Sequence, residues 1–216
     1  MDLEIARTNM LKQQLRTSGV VNQQLLDLFE HLPREEFVPQ SFRNFAYTDV
    51  NISLSHEQVM FSPIQEAQIL QETAIKPYDR VLEIGTGTGY FTALLARQAA
   101  HVTSVEIFPE FTQEAEIKLR RHGVSNVSLH TGNGAMGWGT EEFDVIIVSG
   151  ALQFLPESLV AQLAPLGRMF AVLGESPAMA ACLIKRPSES GLTTRVLFET
   201  ALPMLLDAPR REYFNF

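Results

Sequence analysis

Val81-Leu82-Glu83-Ile84-Gly85-Thr86-Gly87-Thr88-Gly89-Tyr90 runs from an apolar strand through three alternate glycines into a helix. Glycine there lets the backbone turn sharply and lets a ligand approach without meeting a Cβ, while the helix start offers free N–H groups. The spacing sorts the candidate ligands. A dinucleotide fingerprint, G-x-G-x-x-G, needs glycine where Tyr90 stands. A P-loop needs Lys followed by Ser or Thr, and neither pair occurs in the chain. Taken alone, the stretch is also what a tight strand–helix turn looks like.

From Arg80 onward, short apolar runs alternate with helical segments. Strands are predicted over 80–84, 102–106, 126–130, 143–148 and 168–173, and helices over 89–99, 109–122 and 156–164. That alternation predicts parallel strands joined by crossover helices. Residues 179–186 and 192–199 are strand-like with only Pro187-Ser188-Glu189-Ser190-Gly191 between them, which predicts an antiparallel hairpin. The expected class is α/β: a doubly wound, mostly parallel sheet ending in that hairpin.

Upstream, residues 1–45 read as helical. Val21, Leu25, Leu28, Phe29 and Leu32 follow helical spacing, Asn22 is placed to cap the helix, and Pro33 stops it. Ser62-Pro63-Ile64-Gln65 reads as a second helix start, with Ser62 as N-cap and Gln65 completing a capping box. Pro77-Tyr78-Asp79 is expected to break that helix.

Composition narrows the partners. A chain of 216 residues suits one core. Seventeen Lys and Arg against 25 Asp and Glu leave a formal charge of −8, which repels phosphate backbones and argues against nucleic acid. The basic run Lys118, Arg120, Arg121, His122 ends a helical stretch, where cations meet the negative end of the dipole. The single cysteine, Cys182, allows no intrachain disulfide and sits in an apolar run as a small hydrophobe. The five histidines show no zinc-type spacing, so no metal is expected. The acidic start Met1-Asp2-Leu3-Glu4 is unlike a secretory signal, and no apolar run approaches the roughly 20 residues of a membrane span. A cytoplasmic location without membrane contact is expected.

Two further elements point to a nucleoside. Glu106 ends the strand after the glycine loop, about 20 residues beyond Gly85, where a carboxylate accepts from ribose hydroxyls in doubly wound sites. A solvated strand-end glutamate is the plain alternative. Gly132-Asn133-Gly134 follows the next strand. The G-x-G-x-G loop with Glu83 two residues ahead resembles the S-adenosylmethionine motif. Methyltransferases usually place Asp where Asn133 stands, to accept from the adenine amine; Asn133 keeps an acceptor oxygen without the charge.

Beyond these, nearly the whole chain resembles the protein-L-isoaspartate O-methyltransferase family, a class I methyltransferase lineage. Pro33-Arg34-Glu35-Glu36-Phe37-Val38-Pro39 is similar to its P-R-x-x-F-V-P, and Ala46-Tyr47-Thr48-Asp49 to its A-Y-x-D. Arg80 to Tyr90 resembles its R-V-L-E-I-G-T-G-S-G-Y, and Gly132-Asn133-Gly134 with Gly137 and Trp138 its G-D-G-x-x-G-W. Phe143 to Val148 resembles its F-D-x-I-I-V. The resemblance implies S-adenosylmethionine as cofactor, bound by Gln58, Glu83, Gly85, Thr86, Gly87, Gly89, Glu106, Gly132 and Asn133. It implies protein repair by methylation of an isoaspartyl carboxylate in a peptide or protein. It also implies one methyltransferase domain over 1–216. Residues 1–62 would form the helical and substrate-loop region, 63–178 the cofactor core, and 179–216 the hairpin and tail.

One loop departs from the pattern. The family's G-x-G-Q-T-I-S-x-P reads here Ser55-His56-Glu57-Gln58-Val59-Met60-Phe61-Ser62-Pro63. Val59 and Phe61 stand where the family has its reaction-centre Thr and Ser. No catalytic residue is therefore assigned; Ser62 and His56 are the weak candidates, against helix capping and an exposed loop position. Three readings stay open: altered isoaspartyl methylation, another acceptor, or non-catalytic cofactor binding.

Overall fold

A computed structural model of the chain describes residues 2–187 and 191–211. Helix α1 (Leu3–Asn9) is capped by the Asp2 carboxylate and runs on into a π-helical stretch, Met10–Leu15. Helix α2 (Gln23–His31) starts where Asn22 accepts from the Gln24 and Leu25 N–H groups and stops ahead of Pro33. Its Leu25, Leu26 and Phe29 are buried, whereas Val21 lies before the cap and is exposed. Residues 34–36 and 40–45 are tight 3-10 turns rather than more α-helix.

Strands β1 (Ile52–Ser53) and β2 (Val59–Met60) pair as a small antiparallel hairpin. Helix α3 (Pro63–Thr73) begins with the expected capping box between Ser62 and Gln65. It ends before Pro77-Tyr78-Asp79, because Ala74 turns left-handed at φ 45°. Then follow β3 (Arg80–Ile84), α4 (Tyr90–Ala96), β4 (His101–Glu106), α5 (Pro109–Arg121), β5 (Val127–Thr131) and β6 (Phe143–Leu152). Helix α6 (Glu157–Ala161) leads into β7 (Leu163–Glu175), β8 (Ala178–Lys185) and β9 (Thr193–Thr200). The predicted helix over 156–164 is cut short because Leu163 is already paired with Phe143 and fully buried.

The seven strands lie in the order β5-β4-β3-β6-β7-β8-β9. Pairings from β5 through β7 are parallel; β7–β8 and β8–β9 are antiparallel. The expected hairpin is therefore present, although Ser188, Glu189 and Ser190 at its tip lie outside the described residues. Alternate residues serve opposite faces. Val81, Val145 and Ile147 pack with α3, α4 and the N-terminal helices, while Leu82, Ile146 and Val148 pack with Leu159 of α6. Burial on both faces is why these strands read as unbroken apolar runs. The basic end of α5 is a structural feature as well: Lys118 donates to the Phe37 carbonyl at 2.9 Å. Cys182 is buried in β8. Among the described residues no helix is long and apolar enough to cross a membrane.

One polar knot lies inside the sheet. Glu83, on β3, is fully buried, and its Oε2 accepts from Thr92 of α4 and Ser104 of β4, each at 2.6 Å. Ser104 in turn is 2.6 Å from the Thr86 hydroxyl in the glycine loop. Burial pushes the Glu83 carboxyl up to about 8, against the two hydroxyls that favour the charge. The native protein thus keeps a proton that the unfolded chain releases near 4.5. Stability from this group is full below that pH and is lost as the pH rises through about 8. In urea titrations, Glu83→Gln should match the wild type at acidic pH and exceed it above pH 8. Parallel stability curves for the two proteins would show that Glu83 does not titrate in this window.

Candidate functional site

The C-terminal ends of β3, β4 and β6 open onto a cavity. Such a position, where the sheet order reverses, is where doubly wound folds receive ligands. Its floor is the glycine loop, Gly85 to Thr88. Gly89, at φ 82°, stays behind that floor, where a Cβ would stand 2.9 Å from the Cβ of Ala115 on α5. Glycine at this position is required by the left-handed turn and by the approach of α5.

Glu106 forms one wall with Ile107, Phe108 and Phe111. Its Oε2 accepts from the Gly87 N–H at 2.8 Å and its Oε1 from the Phe108 N–H at 3.0 Å. The carboxyl is pushed up by burial, with the Gly87, Phe108 and Ile107 N–H groups pulling the other way. A carboxylate offers roughly four acceptor positions, so it retains capacity for a ligand. Gly132 to Ala135 form the next wall; Asn133 is exposed, and its Oδ1 accepts from the Ala135 N–H at 2.9 Å.

The roof is the β1–β2 hairpin with the residues that follow it. Leu54, Gln58, Val59, Met60 and Phe61 all line the cavity. At the hairpin's tip His56 and Glu57 are both left-handed, φ 56° and 58°. The His56 ring stacks on Phe108 at 4.0 Å and 7° and hydrogen-bonds the Glu110 carboxylate, so the tip rests on the β4–α5 connection. The other end is held from below. Arg34, fully buried, donates to Glu66 and to the Phe61 carbonyl and lies 5.0 Å over the Tyr90 ring. Burial pushes the Glu66 carboxyl up to about 7, with Arg34 drawing it down. Asn51 accepts from the Ser62 N–H at 3.0 Å and Asp49 from the Ile64 N–H at 3.3 Å. The motifs around Arg34 and Asp49 thus serve the roof.

Of the sequence-derived candidates, Gln58, Gly85, Thr86, Gly87, Glu106, Gly132 and Asn133 meet in the lining. Glu83 and Gly89 do not line it; both shape the loop from behind, the first by hydrogen bonds and the second by close packing. Ser62 spends its hydroxyl on the capping box, and His56 sits on the far side of the roof. Phe61 does line the cavity, with its ring edge-on to Phe91 at 5.7 Å and Phe170 at 6.2 Å. Sequence reasoning missed Ser149, Leu205 and Leu206 at the far end, along with Leu54, Phe108 and Phe111. One signal was available: Gly150 closes an apolar run, and a Cβ there would lie 2.6 Å from the Leu205 side chain. The tail is tied in by Ala151, which donates to Pro203 and accepts from Leu205, both at 2.9 Å.

The ionisable side chains of the lining, Glu66 and Glu106, are both acids, and no Lys, Arg or His of the described residues lines it. A pyrophosphate would find no such cationic side chain there. A cationic ligand with a ribose and a flat ring fits: a carboxylate for the hydroxyls, apolar side chains for the ring, and no competing positive charge.

Comparison with known proteins agrees with this geometry. A family model described as Protein-L-isoaspartate(D-aspartate) O-methyltransferase matches residues 6–202. A relative from Polaromonas sp. (strain JS666), Protein-L-isoaspartate O-methyltransferase 1, is 34% identical over 94% of this chain and 86% of its own length. One from Koribacter versatilis is 38% identical over 83% of this chain and 81% of its own. A solved protein-L-isoaspartate O-methyltransferase superposes with a TM-score of 0.79 at 27% identity, covering 92% of this chain and 65% of that one. A Plasmodium falciparum chain in complex with S-adenosyl-L-homocysteine shares the fold, with a TM-score of 0.78 at 19% identity over 94% of this chain and 97% of its own.

The packing at Gly89 is open to test without any ligand. Gly89→Ala should cost about 1–3 kcal/mol, since the new Cβ meets Ala115 and the residue must keep a positive φ. Thermal melting should fall by several degrees. An unchanged midpoint would mean that α4 and α5 separate at no cost.

Proposed function

We infer the activity of this protein from its lineage and its cavity together: the chain belongs to the protein-L-isoaspartate(D-aspartate) O-methyltransferase family and is an S-adenosylmethionine-dependent methyltransferase. The observation that supports the cofactor here is the lining above the glycine loop, where the ionisable side chains are both acids and apolar side chains stand around them. Bound there, S-adenosylmethionine supplies an electrophilic methyl group on a sulfonium cation. Gly85, Thr86 and Gly87 take its methionine end, Glu106 the ribose hydroxyls, and Asn133 the adenine amine. Glu83 and Gly89 set the loop's shape, and Gln58 closes the roof. The chain acts as one domain, in which the segment before Pro63 roofs the α/β core.

The acceptor we propose is the carboxylate of an isoaspartyl residue in a peptide or protein. A carboxylate is ionised at pH 7, so the site needs no general base. Its residues must strip water from the acceptor and hold one oxygen in line. The apolar side chains of the roof, with Leu205 and Leu206, would displace water from a bound acceptor. Holding is where this chain is poor, because Val59 and Phe61 donate nothing. That same observation favours a second reading, in which the aromatic Phe61 fits a smaller or flatter acceptor, or none.

Calorimetry with S-adenosyl-L-homocysteine tests the cofactor assignment. The wild type should bind, and Glu106→Ala should lose about 1–3 kcal/mol of affinity as the ribose loses a charged acceptor. No binding by the wild type would remove the cofactor and every function built on it.

The acceptor is tested by methyl transfer to an isoaspartyl peptide. Each lost donor at a reaction centre costs about 10²–10³ in rate, so the wild type should be slow. Val59→Thr with Phe61→Ser should speed transfer by about tenfold or more while leaving cofactor affinity alone. A fast wild type whose rate ignores the double change would refute this account of the roof. A silent parent with an active double variant would establish the second reading.

A further inference from the structure

With hydroxyls gone from positions 59 and 61, the remaining donors around the cavity can be accounted for one by one. The Thr86 hydroxyl is bonded to Ser104 at 2.6 Å, and that of Thr88 faces the Met60 sulfur at 3.6 Å. The Gln58 amide donates to the His56 carbonyl at 2.9 Å. Asn133 stands at the opposite wall, beyond β5. Glu66 Oε1 has no partner, but its carboxyl is already paired with Arg34 and donates only when neutral. One lining hydroxyl is left. Ser149 Oγ is enclosed and makes no hydrogen bond within the protein.

Its placement suits a reacting group. Ser149 follows Val148, the last residue of β6 paired with β3, and therefore stands beside Gly85. A Cβ on Gly85 would lie 3.2 Å from the Ser149 Cβ, so glycine is what lets the two strand ends lie this close. An enclosed O–H without an acceptor is destabilising, and a bound oxygen would offset that cost. We propose that Ser149 is the positioning donor for the methyl-accepting carboxylate, taking over from the hydroxyls that Val59 and Phe61 lack. This rests on the carboxyl-methyltransferase reading above. The carboxylate oxygen gains an O–C bond as one S–C bond breaks; a negative and a positive charge cancel, and no proton moves. Ser149 keeps its proton throughout and fixes the second carboxylate oxygen.

The test compares wild type, Ser149→Ala and Ser149→Thr by isoaspartyl-peptide kinetics, S-adenosyl-L-homocysteine calorimetry and thermal melting. Ser149→Ala should lower kcat/KM by about 10²-fold, with cofactor affinity held and the melting point unchanged or raised. Ser149→Thr, which keeps the hydroxyl, should recover most of that loss. An unchanged kcat/KM in Ser149→Ala overturns the proposal. So does a fall in cofactor affinity as large as the fall in rate, which would assign the hydroxyl to the methionine end instead. A wild type that binds the cofactor product but methylates no isoaspartyl peptide overturns the acceptor reading itself, and this role with it.

Discussion

The Glu83 carboxyl, closed off from water in the middle of the sheet, is the constraint on which the site depends. It joins the strand that enters the glycine loop, the helix that leaves it and the next strand over, through Thr92 and Ser104. Ser104 passes the connection to Thr86 in the loop. Although the other Glu83 oxygen, Oε1, has no partner, groups bonded to one another in this way resist displacement, because any slip costs a further donor or acceptor its partner in a medium of low dielectric. A loop rich in glycine would otherwise be the softest part of the fold. Here it is pinned from beneath, so its upper surface can stay free of side chains.

Glu106 completes the arrangement one strand away. Its two oxygens accept from Gly87 and from Phe108, tying the loop to the β4–α5 connection while leaving the carboxylate in the cavity wall. The roof depends on a second buried device, the Arg34–Glu66 pair. Such pairs add little net stability, but removing one partner strands a charge. Arg34 uses its remaining reach to hold the Phe61 carbonyl. Phe61, a lining residue of the roof, is thus fixed by a side chain buried beneath it.

Much of this could be read before any coordinates. The parallel strands announce themselves because burial on both faces leaves little room for polar residues. Asn22 and Ser62 mark helix starts through local hydrogen bonds that depend on a few neighbouring residues. Boundaries were less legible wherever a distant partner decided them. Leu163 became strand through Phe143, and α3 ended at a left-handed Ala74 rather than at the proline beyond it. Val21 kept the helical period yet lies outside the helix, since a cap, not periodicity, sets the first turn.

For the site, sequence alone determined the cofactor chemistry. The glycine spacing, the carboxylates at 83 and 106 and the asparagine at 133 lie on successive βα units whose order is fixed along the chain. It also singled out Val59 and Phe61, because a resemblance with fixed ends shows where the chain departs from it. Only the tertiary structure decided which of those residues meet the cavity. Glu83 and Glu106 both sit on strands beside the loop, yet one points into the sheet and the other into the cavity wall. It alone brought Ser149 and Leu205 to the cavity and set the Arg34 turn behind its roof. Their proximity comes from strand order and packing across long stretches of chain, and contacts between residues so far apart in sequence leave no local periodicity to read.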